Sequence, residues 1–221
     1  SYGTNVAITL SPPNDTLPQN ASVTLTGLTP GTTYHFRATA TNSIGTTEGA
    51  DVEFTTLSTN AELSALTLSV GTLTPVFVGG TTAYTAGVSN ATSSLTVTPS
   101  AADAHATLTV NGIAVTSGAA SGLIPLSVGV TNIPVIVTAQ DSVTTTTYTL
   151  AITRRSLYED WALANGVTGT GSSVTGDFDL DGIPNLLEWA FGTDATQSST
   201  HLVAAAGEIL TERGGPTTIG P

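Results

Sequence analysis

The 221-residue chain has no cysteine, no methionine and no lysine, and its only basic residues are Arg37, Arg154, Arg155 and Arg213. The missing cysteine excludes a disulfide framework and any reactive thiol. The missing lysine excludes a lysine–asparagine isopeptide crosslink. Four basic residues against 16 acidic ones leave a formal net charge of −12. Nucleic acid is therefore excluded as a partner, because phosphates are held by clustered Lys and Arg. Charged residues make up only 9% of the chain, against about 25% in an average domain. No apolar run reaches the ~18 residues that a membrane span needs, and the N-terminus has no charged-then-apolar signal segment. Ser1 in place of Met reads as processing or a fragment.

What the chain does have is threonine, 44 residues of it, with 23 glycines and 11 prolines. Short apolar–polar alternations run nearly throughout, which separates it from a disordered chain and predicts β-structure. Its length suggests about two domains.

Residues 1–58 form the first unit. Val6, Ile8 and Leu10 alternate before the turn-rich Ser11-Pro12-Pro13-Asn14-Asp15, then Val23 and Leu25 alternate. Tyr34, Phe36, Ala38 and Ala40 share one face after Pro30-Gly31, a pair suited to a tight turn. The stretch from Leu28 to Ala38, with Asn42 and the closing Val52-Glu53-Phe54-Thr55-Thr56, resembles the second half of a fibronectin type III domain. The resemblance implies a tyrosine corner at Tyr34, its hydroxyl bonding to nearby backbone. It also implies a sandwich lacking its opening strands, with an apolar face open to self-association.

Residues 61–154 form the second unit. Leu66, Leu68 and Val70 alternate, as do Leu73, Pro75 and Phe77, with Tyr84, Val88, Leu95 and Val97 following. Asn111-Gly112 between Thr107–Val110 and Ile113–Val115 is a strong hairpin signal, because both residues tolerate positive φ. Ile133, Val135 and Val137, then Tyr148, Leu150 and Ile152, complete seven or so short strands, which predicts a β-sandwich. Leu63-Ser64-Ala65-Leu66-Thr67-Leu68-Ser69, Leu73-Thr74-Pro75-Val76-Phe77, Thr82-Ala83-Tyr84 and the ending from Thr147 to Arg154 resemble the bacterial cadherin-like β-sandwich family. Its acids Asp103 and Asp141 are isolated, so no calcium motif is expected inside this sandwich.

Residues 156–195 change in texture. Ser156-Leu157-Tyr158-Glu159 is a capping box that opens a helix, with Leu157 and Trp161 on one face and Asn165-Gly166 at its end. A Gly/Ser/Thr linker, 167–176, leads to Asp177, Asp179, Asp181, Gly182 and Glu188, which occupy positions 1, 3, 5, 6 and 12 of an EF-hand loop. In that spacing the first three carboxylates converge on one cation and glycine permits the sharp turn. The Ile183 carbonyl points inward, Asn185 binds through water, and Glu188 closes the site with both oxygens. All-oxygen ligands select Ca²⁺. The plain alternative is a solvated acidic turn ahead of a helix. Pro184 suits the first helical position, and Gly192 suits the helix end.

With Pro184 at loop position 8 and a linker before the loop, this region resembles the calcium loops of dockerin-type and thrombospondin type 3 repeats. A dockerin carries two loops and this chain one, so the resemblance does not extend to cohesin docking. Trp161, Trp189 and Phe191 are expected to pack as a small core, with sugar stacking as the alternative. Asp160 and Asp194 flank the region with helix-terminal or surface roles. Residues 196–221 read as a linker or the start of a further domain, with one strand.

The fold class expected is mainly β: tandem antiparallel Ig-like β-sandwiches followed by a small helical calcium-loop module. His35, His105 and His201 neighbour no metal-like partner, and no serine elbow or phosphate loop is present. These readings point to a non-catalytic structural and adhesive segment of a large extracellular or cell-surface protein. Calcium stiffens an interdomain junction, and the partners are neighbouring domains of the same polypeptide and a cell-surface or matrix glycan or protein. Two alternatives belong to other classes: an accessory region of a secreted polysaccharide-degrading enzyme, and a filament subunit completed by a neighbour's strands.

Overall fold

The computed structural model describes residues 3–8, 20–205 and 208–213. In the first unit four short strands follow one another: β1 (Thr33–Phe36), β2 (Thr39–Thr41), β3 (Thr46–Glu48) and β4 (Val52–Thr55). β1 pairs with β4 and β2 with β3, both antiparallel. The Tyr34 hydroxyl accepts a hydrogen bond from the Thr29 backbone N–H at 2.8 Å, the corner that the fibronectin resemblance implies. Tyr34 stacks on Phe54 at 5.8 Å, while Phe36 remains half exposed. The alternations at Val6/Ile8 and Val23/Leu25 do not become strands, and all four side chains are exposed. Alternation selects a face, but a strand also needs a neighbouring backbone, and none among the described residues pairs with them. Leu10 and the turn at 11–15 lie outside the described residues.

The second unit contains nine strands, more than the seven expected, because several runs are split by turns. They are β5 (Leu63–Leu68), β6 (Ala83–Val88), β7 (Ser94–Leu95), β8 (Val97–Ala101), β9 (Thr107–Val110), β10 (Ile113–Val115), β11 (Ile124–Pro125), β12 (Gly129–Thr138) and β13 (Thr145–Arg154). One sheet has the order β10-β9-β12-β13-β6, and the pairs β5-β8 and β11-β7 stand apart from it. Asn111 and Gly112 take φ of 49° and 80° in the hairpin between β9 and β10, as their sequence predicts.

The inward faces of β12 (Ile133, Val135, Val137) and β13 (Tyr148, Leu150, Ile152) meet Leu63, Leu66, Leu95 and Val97 in one buried core. Tyr148 satisfies its hydroxyl there by accepting from the Leu63 N–H at 3.0 Å. One pairing corrects the all-antiparallel expectation: β6 runs parallel to β13, from Ala83 opposite Thr149 to Val88 opposite Arg154. Alternation has the same period in either direction, so it carries no information on strand polarity. The run at Leu73–Phe77 is no strand; it bridges only through Thr74 to Thr85, with Leu73 buried and Phe77 stacked on Tyr84.

After the sandwich come helices α1 (Leu157–Ala164) and α2 (Asn185–Phe191), then a hairpin of β14 (Ser199–Ala205) and β15 (Glu208–Arg213) where a single strand was expected. The capping box is complete: the Ser156 hydroxyl accepts from the Glu159 N–H at 3.1 Å, and the Ser156 N–H donates to the Glu159 carboxylate at 2.6 Å. Asn165 and Gly166 end α1, and Gly192, at φ 71°, ends α2. Pro184 is the cap residue of α2, one position earlier than expected.

The buried face of α1 is Tyr158 and Ala162, with Trp161 partly buried beside them, whereas Leu157 is 65% exposed. Residues 158, 161 and 162 are spaced i, i+3, i+4, and that stripe defines the face that packs. A polar clasp joins α1 to the sandwich. The Asp160 carboxylate pairs with the Arg155 guanidinium at 2.6 Å and also accepts from the Asn90 N–H. The Asn90 side chain donates to the Arg155 carbonyl at 2.8 Å. Arg154 reaches the carbonyls of Asn90 and Leu126, both at 2.9 Å.

Candidate metal centre

The segment from Asp177 to Ile183 winds into a loop because its carboxylates accept the loop's own amides. Asp177 accepts from the N–H groups of Asp181 (3.1 Å) and Gly182 (2.7 Å). Asp181 accepts from the Ile183 N–H at 2.7 Å. Gly182 sits at φ 91°, a conformation that side chains resist. These turns bring one oxygen each of Asp177, Asp179 and Asp181 within 4.8 Å of one another. Glu188 projects from α2 and is fully buried. Both its oxygens, and Oδ2 of Asp179, are buried without a hydrogen-bond partner among the described residues.

Electrostatics connect these groups. Burial, and then the charges of Asp179, Asp181, Asp177 and Asp194, push the Glu188 carboxyl up to about 7. Burial also raises Asp179, with the Asp181 charge adding to it. A buried carboxylate without a donor or countercharge is unfavourable; the three aspartates form the cluster whose oxygens could hold a hard cation, while Glu188 is linked to them through charge and lies outside that group. Of the remaining residues expected at the site, Ile183 lies in the loop against Asp181, and the Asn185 side chain accepts from the Phe178 N–H within the loop and donates to the Gly171 and Ser173 carbonyls of the linker.

The loop rests on the core between the helices. Tyr158 lies 5.6 Å from Trp161 and 6.0 Å, edge-on, from Trp189, and Val167, Ala195 and Phe178 pack with them. Phe191, expected in this core, remains partly exposed outside it. Tyr158 is a core residue that its i, i+4 spacing to Ala162 on the capped helix signals, although the motif around it marks only the cap. The Gly/Ser/Thr linker is pinned: the Tyr158 hydroxyl donates to the carbonyls of Ser172 (2.9 Å) and Ser173 (3.2 Å). Asp194 turns its carboxylate to Thr196 and Gln197. His35 and His105 do have acidic neighbours, Asp51 at 2.8 Å and Asp103 at 3.3 Å.

Comparison with known proteins adds that residues 63–155 match the cadherin-like beta sandwich domain, and residues 4–56 match the fibronectin type III domain. The chain is modular. Its fibronectin type III and cadherin-like parts are of kinds that are typically non-catalytic, and both matched regions end before the acidic loop. A relative from Evansella cellulosilytica, named "Putative membrane protein", is 37% identical over 98 residues, 44% of this chain. That match spans only 15% of the relative's length. Among the described residues no helix is long and apolar enough to cross a membrane.

Proposed function

We propose that this chain is an extracellular structural and adhesive segment in which a calcium ion stabilises the junction after the cadherin-like sandwich. The carboxylates of Asp177, Asp179, Asp181 and Glu188 and the carbonyl of Ile183 hold the ion. The observation that carries the reading is Glu188: a fully buried carboxylate with neither oxygen partnered, electrostatically coupled to three clustered aspartates. An acidic turn in solvent would keep that group exposed. An oxygen-only donor set disfavours zinc, and a bidentate glutamate suits the larger coordination shell of Ca²⁺ over Mg²⁺.

The ion would act through packing. Glu188 and Trp189 are neighbours on α2, Trp189 meets Tyr158 on α1, and α1 is clasped to the sandwich through Asp160. Closing the loop on calcium therefore stiffens the path from sandwich to hairpin. Extracellular calcium modules work at affinities of roughly 10⁻⁴–10⁻³ M. Calorimetry on chelator-treated chain, beside an Asp179→Ala/Glu188→Ala variant, tests this. One ion bound per chain, absent in the variant, is expected; no heat well above ~10⁻³ M would sink the metal reading.

A further inference from the structure

The side chain at the ninth position of the loop hydrogen-bonds both the loop and the linker before it. We infer that Asn185 is the positioning residue of the site, a bracket that fastens the carboxylate loop and the linker to the start of α2. The inference rests on the calcium reading for its functional meaning and on hydrogen bonds alone for its structure.

Asn185 is fully buried. Its side-chain oxygen accepts from the Phe178 N–H at 3.1 Å. Its side-chain nitrogen donates to the carbonyls of Gly171 at 2.6 Å and Ser173 at 3.0 Å. Its backbone N–H donates to the Gly176 carbonyl at 2.7 Å. An amide has two N–H donors, and both are used. The pattern also fixes its orientation, since only NH₂ can serve two carbonyls and only oxygen can serve an N–H. The residue thus bridges three places: the linker at 171–173, the loop between its first two aspartates, and the helix that carries Glu188 one turn later.

The surrounding backbone is shaped for this bracket. A Cβ at Gly176 would come within 2.4 Å of the Gly171 carbonyl oxygen, so the linker doubles back more tightly than any side chain permits. Tyr158 reaches the Ser172 and Ser173 carbonyls from α1, and Asn185 reaches Gly171 and Ser173 from α2. Asn185 therefore sets the distance between Asp177 and Asp179 on one strand of the loop and Glu188 on the helix.

A water-mediated ligand and a bracket respond oppositely to substitution. In Asn185→Asp a ligand would keep its acceptor and add a negative charge, leaving calcium affinity equal or tighter. A bracket would lose both donors and set a carboxylate against two carbonyl oxygens. In Asn185→Ser a ligand keeps a water-binding hydroxyl, whereas a bracket loses most of its reach. We expect calorimetry on the full chain to show both variants binding calcium roughly 10–100-fold more weakly than wild type, the usual loss for partners that orient metal ligands. In chelator-treated protein the Phe178 amide should lose protection from hydrogen exchange. Wild-type or tighter affinity in either variant would overturn the inference. So would a lower melting temperature with unchanged affinity, which marks a merely structural role. If Asn185→Asp leaves the metal-free helices unfolded, Asn185→Ser decides. A wild-type chain that binds no calcium sinks the metal reading separately; the bracket then stands or falls on Phe178 exchange, with unchanged protection in both variants overturning it.

Discussion

Glu188 is held where no donor of the described chain reaches either oxygen, within reach of the charges of Asp177, Asp179, Asp181 and Asp194. Such an arrangement destabilises the metal-free fold and favours whatever neutralises it. The substitution Glu188→Gln separates the two consequences. It removes a charge that burial and neighbouring aspartates already oppose, with the carboxyl pushed up to about 7. Above that pH the metal-free variant is expected to melt higher than metal-free wild type, while the rise in Tm on adding calcium disappears. Thermal melts with chelator and with calcium check both halves. A metal-free variant that melts lower would mean that Glu188 is satisfied by something other than a cation. The same residue shows how far sequence carries at this scale. Loop spacing singled out Glu188 as the closing carboxylate, but its complete burial is a property of the packing of α2.

At the scale of elements, α1 is the connecting piece, and its capping box was plain in Ser156 and Glu159. What fastens it was not. Asp160 had the look of a helix-terminal surface acid, but it joins Arg155 and Asn90 across 70 residues of sequence, using one of only four basic residues in the chain. The Arg155 guanidinium, with the Asn90 N–H adding to it, holds the Asp160 carboxyl below its usual 3.8. A depressed folded value means that the paired form stabilises the native state above the ordinary pKa. That stabilisation is lost as pH falls through the depressed value. Asp160→Asn is therefore expected to lower the Tm of the helical module at neutral pH. It should also flatten the part of the module's acid loss below the ordinary carboxylate pKa that this pair contributes. Tm against pH for wild type and variant, followed by tryptophan fluorescence, makes the comparison; parallel curves would remove the clasp from the account.

For the whole molecule, the two tryptophans are the chain's only ones, and both lie in the helical module. The sandwich core is built from aliphatics and tyrosine instead. Tryptophan emission therefore reports on the module while far-UV circular dichroism is dominated by β-structure. With calcium removed, the tryptophan transition is expected to move to lower temperature while the sandwich transition stays in place. A coincident shift of both would make the chain one cooperative unit and would count against a modular junction.

Local sequence is enough to specify the β-rich class, the tyrosine corner at Tyr34, the Asn111-Gly112 hairpin, the helix cap at Ser156 and the spacing of the acidic loop. These depend on period, turn chemistry and short spacing, which act between residues close along the chain. Tertiary packing makes β6 run parallel to β13, which alternation, blind to direction, does not specify. It alone left Val6, Ile8, Val23 and Leu25 outside any strand, since a ladder needs a partner that sequence alternation does not supply. It alone chose Tyr158 over Leu157 as the buried face of α1 and drew the Gly/Ser/Thr linker into a pinned turn. The role of Asn185 belongs here too. Position 9 of a loop motif names a place in the chain, but the hydrogen bonds that a side chain makes depend on which distant carbonyls the fold brings to it.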